Sequence, residues 1–243
     1  MGSLFKKTHE CITNIDSGSV IVEIGSDRGE GSTLYFAELA AKYNIELHSV
    51  DILNNAQTKI SHSSIKWHTA IGSDWCRDMY PQINKKISIM YLDNFDYLWN
   101  NNRTDDTIDS ELWNKSVYDI IKGVDWPPDF CKFENLPPEF QAEVTFPITY
   151  NLMMQEMRAQ YKAFGFTLTN SECQLEHFKQ LHYLYPWLAD DCIVVFDDTL
   201  RYNDCWIGKN GPGVIFLLAM GFNIVKEDIR GILERGVILK RGK

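Results

Sequence analysis

Ser19-Val20-Ile21-Val22-Glu23-Ile24-Gly25-Ser26-Asp27-Arg28-Gly29-Glu30-Gly31-Ser32 is the stretch that decides the fold of this 243-residue chain. The run from Ser19 to Ile24 is short and β-branched and stops at Gly25, as a buried parallel strand does. The glycine-rich turn from Gly25 to Gly31 then opens a helix over about 32–43, whose Leu34, Ala37 and Ala41 share a face. Its small alanines allow close packing on a sheet. Outward from this unit, further strands are expected at 46–50, 64–69, 87–92, 192–196, 222–225 and 236–240, with helices near 174–185 and 213–220. Strands alternating with helices imply a parallel sheet with right-handed crossovers. The expected fold class is therefore α/β: a Rossmann-like three-layer α/β/α sandwich on a seven-stranded, mostly parallel sheet. Residues 1–243 form a single domain in this reading.

The regularity breaks after the fourth strand, and residues 100–171 read as a large insert rich in Trp, Pro, Phe and Asp. Trp126-Pro127-Pro128-Asp129 and Leu136-Pro137-Pro138-Glu139 are extended or turn-forming, because proline restricts itself and its predecessor. A helix is expected at about 148–164, with Tyr150, Met153, Met154, Met157, Tyr161 and Phe164 along one face. That stripe is either plain core or a cap whose face lines a substrate pocket or a contact between copies of the chain.

Composition narrows the function classes. A hydrophobic share of 44% and a charged share of 23% are those of a globular protein with a buried core. The net charge of -9 repels a phosphate backbone, and the basic pieces Lys6-Lys7, Lys85-Lys86 and Lys240-Arg241-Gly242-Lys243 are short, so no nucleic-acid partner is expected. The 6 cysteines contain no C-x-x-C pair and the 6 histidines no H-x-x-x-H, which argues against a zinc ribbon or a two-histidine metal site. No apolar run has the ~18 residues of a membrane helix, and the first residues lack a signal-peptide core. A cytoplasmic protein without a membrane partner is the expectation.

In open α/β sheets ligands bind beyond the carboxyl ends of the strands. Those ends here are Gly25, Asp51, Gly72-Ser73-Asp74, Asp93 and Asp197-Asp198, so glycine turns and carboxylates gather at one rim. The first loop is not G-x-G-x-x-G and lacks the Gly-Lys-Ser/Thr of a P-loop, which disfavours a dinucleotide or a nucleoside triphosphate. Acidic side chains around it suit a cationic ligand. Asp51 stands about twenty residues beyond the loop, where a carboxylate accepts ribose hydroxyls; its other reading is a helix cap or a surface charge. Asp74 is placed to accept from an adenine amino group, and Trp75 either packs on that ring or is ordinary core.

These motifs resemble those of class I S-adenosylmethionine (SAM)-dependent methyltransferases: Val22-Glu23-Ile24-Gly25 through Gly29, then Asp51, then Gly72-Ser73-Asp74. Leu92-Asp93-Asn94 and Asp197-Asp198-Thr199 resemble the strand-four and strand-five ends of small-molecule O-methyltransferases of the catechol type. The resemblance covers residues 18–98 and 172–240. It implies S-adenosyl-L-methionine held by Glu23, Gly25, Ser26, Gly29, Ser32, Asp51, Ile52, Gly72, Ser73, Asp74, Trp75 and Asp93. It also implies Mg²⁺ or Mn²⁺ on Asp93, Asp197 and Asp198, and methyl transfer to a hydroxyl or amine of a small-molecule acceptor. That family carries a lysine base three residues beyond the first metal aspartate, where this chain has Asp96; without a metal, Asp93 or Asp96 would act as the base. A SAM-consuming lyase or cyclase, and a non-catalytic binding protein that keeps the fold, are the alternatives.

Overall fold

The computed structural model describes residues 4–26, 29, 31–94, 160–166, 170–202, 205–228 and 236–242. Seven strands form one sheet: β1 (Val20–Ile24), β2 (Glu46–Asp51), β3 (Ile65–Thr69), β4 (Ile87–Leu92), β5 (Leu188–Asp197), β8 (Phe222–Asp228) and β9 (Gly236–Arg241). Their order across the sheet is β3-β2-β1-β4-β5-β9-β8. The pairs from β3 to β5 are parallel, whereas β9 runs antiparallel to both β5 and β8. A separate antiparallel hairpin, β6 (Thr199–Tyr202) with β7 (Cys205–Gly208), follows β5 directly. The chain steps outward from β1 to β3 and returns to β4 on the other side. The seam between β1 and β4 is therefore the topological switch point, where ligands bind in sheets of this kind.

Successive side chains of a strand point to opposite faces, and this sorts the core into two clusters. Ile21, Ile89, Tyr91, Ile193, Val195 and Ile238 pack with Leu4, Phe5 and the helix α2 (Ser32–Tyr43) on one face. Val22, Ile24, Met90, Leu92, Val194, Phe196, Val237 and Leu239 pack on the other. That second layer contains Trp75 and Tyr80, the helix α5 (Asn170–Leu184) and the helix α6 (Gly211–Ala219). A third contributor to it runs from Gly72 to Ile83: α3 (Gly72–Asp74), one π turn over Trp75–Met79, and α4 (Tyr80–Ile83). The three-layer expectation holds, and all seven expected strands are present. The segment 72–83, read only as a turn at its start, is helical. β5 begins at Leu188, earlier than its apolar run. Most of the helix expected at 148–164, and Asp96, lie outside the described residues.

One close contact fixes the seam. Gly25 has φ +95°, and a Cβ there would meet the Asp93 carbonyl carbon at 2.5 Å and the Asn94 amide nitrogen at 2.6 Å. Gly25 N–H donates to the Val50 carbonyl, and Asp93 N–H donates to that of Ile24. Only glycine tolerates both this backbone angle and this approach. A Gly25→Ala variant should lose at least ~3 kcal/mol in chemical denaturation. Gly221, at φ +86° with nothing near its Cβ position, should lose only ~1 kcal/mol on the same change. Equal losses at the two positions would remove the seam's special status.

Candidate functional site at the rim of the sheet

Strand parity builds the rim. Register pairs Glu23 with Tyr91 and Tyr91 with Val195. Glu23, Tyr91, Asp93 and Asp197 therefore share the α2 side at the carboxyl ends of β1, β4 and β5.

Glu23 is fully buried. Its Oε2 accepts from Ser49 Oγ at 2.8 Å, and its Oε1 has no partner among the described residues. Burial pushes this carboxyl up to about 7, against the hydroxyls of Ser32, Ser49 and Thr33, which favour the ionised form. Asp51 is a clamp between loops. Its Oδ2 accepts from Ser26 N–H at 2.9 Å and its Oδ1 from Leu53 N–H at 2.9 Å, which ties the glycine turn to the end of β2. Ile52 lies beside that clamp, half-buried. Gly29 N–H donates back to the Ser26 carbonyl at 2.6 Å, and Gly29 packs on Ala56 and Ile60.

The turn after β3 is held from below by α5. Ser73 N–H donates to Glu176 Oε1 at 2.8 Å, an oxygen that also accepts from Gln180 Nε2 at 3.0 Å. Ile24 and Gln180 press on Gly72 so closely that a Cβ would clash with both. Asp74 is half-buried and pairs with Arg77 at 3.0 Å. Trp75 is buried at 1% exposure among the rings of His48, His68 and Tyr80.

The densest chemistry joins β4, β5 and the hairpin. Tyr91 Oη lies 2.9 Å from Asp93 Oδ2 and 3.0 Å from Asp197 Oδ2. A phenol has one proton to give, so one of the two carboxyls must bring its own. Asp197 is the more prone of the two to hold it: burial first, then the charges of Asp93 and Asp198, push it well above the usual carboxylate range. Asp198 turns the chain at φ 47°, a left-handed angle that Asp accepts more readily than bulkier residues. Hairpin register pairs Thr199 with Gly208, and the next rung joins Lys209 N–H to the Asp198 carbonyl at 3.2 Å. The Lys209 ammonium then reaches Asp93 Oδ1 at 2.9 Å and Asp198 Oδ2 at 2.7 Å. Asn210 closes the arrangement, its amide donating to the carbonyls of Leu92 at 3.4 Å and Asp197 at 3.2 Å.

The structure brings Glu23, Gly25, Asp51, Asp93, Asp197 and Asp198 to one rim of the sheet, where the sequence reading groups them, and adds Tyr91, Lys209 and the supporting pair Glu176 and Gln180, which that reading does not name. A divalent ion on Asp93, Asp197 and Asp198 does not fit this donor set. A lysine ammonium already lies between Asp93 and Asp198, and Asp197 faces the Tyr91 hydroxyl. Among the described residues no group of three or more His, Cys, Asp or Glu is arranged to hold a metal, and no helix is long and apolar enough to cross a membrane.

No protein-family model matches the sequence, and no curated protein matches it. Similar solved structures are those of methyltransferases. The apo structure of CalS11, a TDP-rhamnose 3′-O-methyltransferase of calicheamicin biosynthesis, is 11% identical, with the alignment covering 99% of this chain and 78% of that one at a TM-score of 0.44. A protein described as a ribosomal RNA methyltransferase, from Plasmodium falciparum, is 12% identical over 99% of this chain and 93% of that one, also at 0.44. At these identities and TM-scores the likeness assigns no activity to this chain.

Glu23 generates a test that needs no ligand. Its carboxyl titrates near 4.5 when unfolded and near 7 when folded, so across that window the unfolded state releases a proton that the native state keeps. Stability falls as pH rises, by on the order of 3 kcal/mol. Glu23→Gln should flatten denaturant-melt stability between pH 4.5 and 7 and be the more stable form at pH 8. An unchanged pH slope would contradict the burial argument.

Proposed function

We propose that the chain is a SAM-dependent methyltransferase acting on a hydroxyl or amine of a small molecule. The observation that carries this reading is the glycine turn of β1, locked onto the end of β4 at the switch point and bordered by the carboxylates of Glu23, Asp51 and Asp93. SAM presents an ammonium, a sulfonium and a ribose diol. A buried Glu23 oxygen without a partner among the described residues and an acidic rim suit those groups, and they suit a diphosphate badly. When bound, SAM supplies a methyl group made electrophilic by the sulfonium.

The chain's own residues do the rest. Asp51 holds Ser26 and Leu53 so that the turn after β1 keeps its shape, and its carboxylate is the group assigned to the ribose hydroxyls. Asp93 has one oxygen on Tyr91 and the other on Lys209, so it is a fixed negative charge rather than a mobile base. Asp198 differs. Its side chain is 41% exposed, and it meets Lys209 through Oδ2. Asp198 Oδ1 is the atom assigned to accept the acceptor's proton. The acidic rim and the net charge of -9 favour an uncharged or cationic acceptor over a nucleic acid.

Calorimetric titration with S-adenosylhomocysteine should show one site per chain. Asp51→Asn should weaken it by about ten- to a hundredfold, the worth of charge-assisted hydrogen bonds. A chain that gives no heat with this nucleoside, with its fold verified by circular dichroism, would overturn the reading.

A further inference from the structure

We infer that Lys209 is a built-in cation that stands in for a divalent metal at the ends of β4 and β5, so that chemistry at this rim runs without a metal ion. The inference goes beyond the methyltransferase reading, and its binding test stands whether or not that reading holds.

The argument is one of place, tether and charge. Place comes first: the ammonium sits 2.9 Å from Asp93 Oδ1 and 2.7 Å from Asp198 Oδ2, between the carboxylates that a metal would have to join. Mg²⁺ needs near-octahedral oxygen ligands at about 2.0–2.1 Å, and it cannot approach both oxygens while the ammonium is there. The tether makes that ammonium hard to move. Its side chain is 2% exposed, its own N–H is bonded to the Asp198 carbonyl, and the next residue, Asn210, is fastened to both β4 and β5. Swinging the lysine out would strand a buried charge or break the base of the hairpin. Charge completes the case, because one fixed positive group holds Asp93 and Asp198 beside Asp197 without any ion taken from solution. Lys209 is thereby a positioning residue: it orients the two partly exposed carboxylates and is itself too deeply buried to meet an acceptor.

Mn²⁺ titrated into the ligand-free full chain, read by electron paramagnetic resonance, tests this. The wild type and Asp198→Asn should bind Mn²⁺ equally, since no ion uses Asp198 while Lys209 is present. Lys209→Ala should gain one Mn²⁺ site, at least about tenfold tighter than any in the wild type, and adding Asp198→Asn to it should abolish that site. A wild type that binds one more Mn²⁺ than Asp198→Asn would overturn the inference, as would a folded Lys209→Ala that gains none. Should Lys209→Ala fail to fold, the wild-type comparison with Asp198→Asn decides alone.

Discussion

The contact between Gly25 and the Asp93–Asn94 peptide is the constraint on which the rest of the structure depends. β1 and β4 run parallel with Glu23 beside Tyr91, and the chain can leave β1 at φ +95° against the end of β4 only because residue 25 has no side chain. A bulkier residue would push the two strand ends apart. The Asp51 clamp on Ser26 would then open, and Glu23 would lose the shell of hydroxyls that keeps it buried. The shape of the rim is thus settled by backbone packing before any charged group acts.

The second constraint is electrostatic. Burying carboxyls costs free energy unless each finds a proton, a cation or a donor. Three different remedies appear within one small region. Asp197 is pushed toward its protonated form, Asp93 and Asp198 share a lysine, and Glu23 rests among hydroxyls with its titration shifted upward. A cluster held so close to imbalance answers readily to a cationic ligand or to a change in the number of protons it holds.

Much of this was legible in the sequence, and the failures have physical causes. Buried strands announce themselves by β-branched runs, so β1, β4, β9 and the apolar half of β5 read directly, and the less buried β2, β3 and β8 read between them as short apolar or alternating stretches. The helix 72–83 did not, because Pro81 and a π turn interrupt the 3.6-residue period. Lys209 was missed because it lies twelve residues beyond Asp197 and carries no motif. The hairpin that returns it was nonetheless written in the chain: Leu200-Arg201-Tyr202 and Cys205-Trp206-Ile207 flank Asn203-Asp204, a pair rich in turn propensity. Reading that turn would have placed residue 209 opposite residue 198. Glu176 and Gln180 were hidden for another reason. Polar residues on the buried face of α5 look like surface in a one-dimensional reading, and only the fold shows that they support Ser73 and crowd Gly72.

Amide hydrogen exchange with and without S-adenosylhomocysteine tests most directly whether the acidic rim at the switch point is the binding site. Slowed exchange at Gly25, Ser26, Gly29, Leu53 and Ser73, with the amides of β8 unchanged, is the expected result. Protection confined to the far end of the sheet, around Asn84 and Trp187, or none at all at saturating nucleoside, would contradict the account.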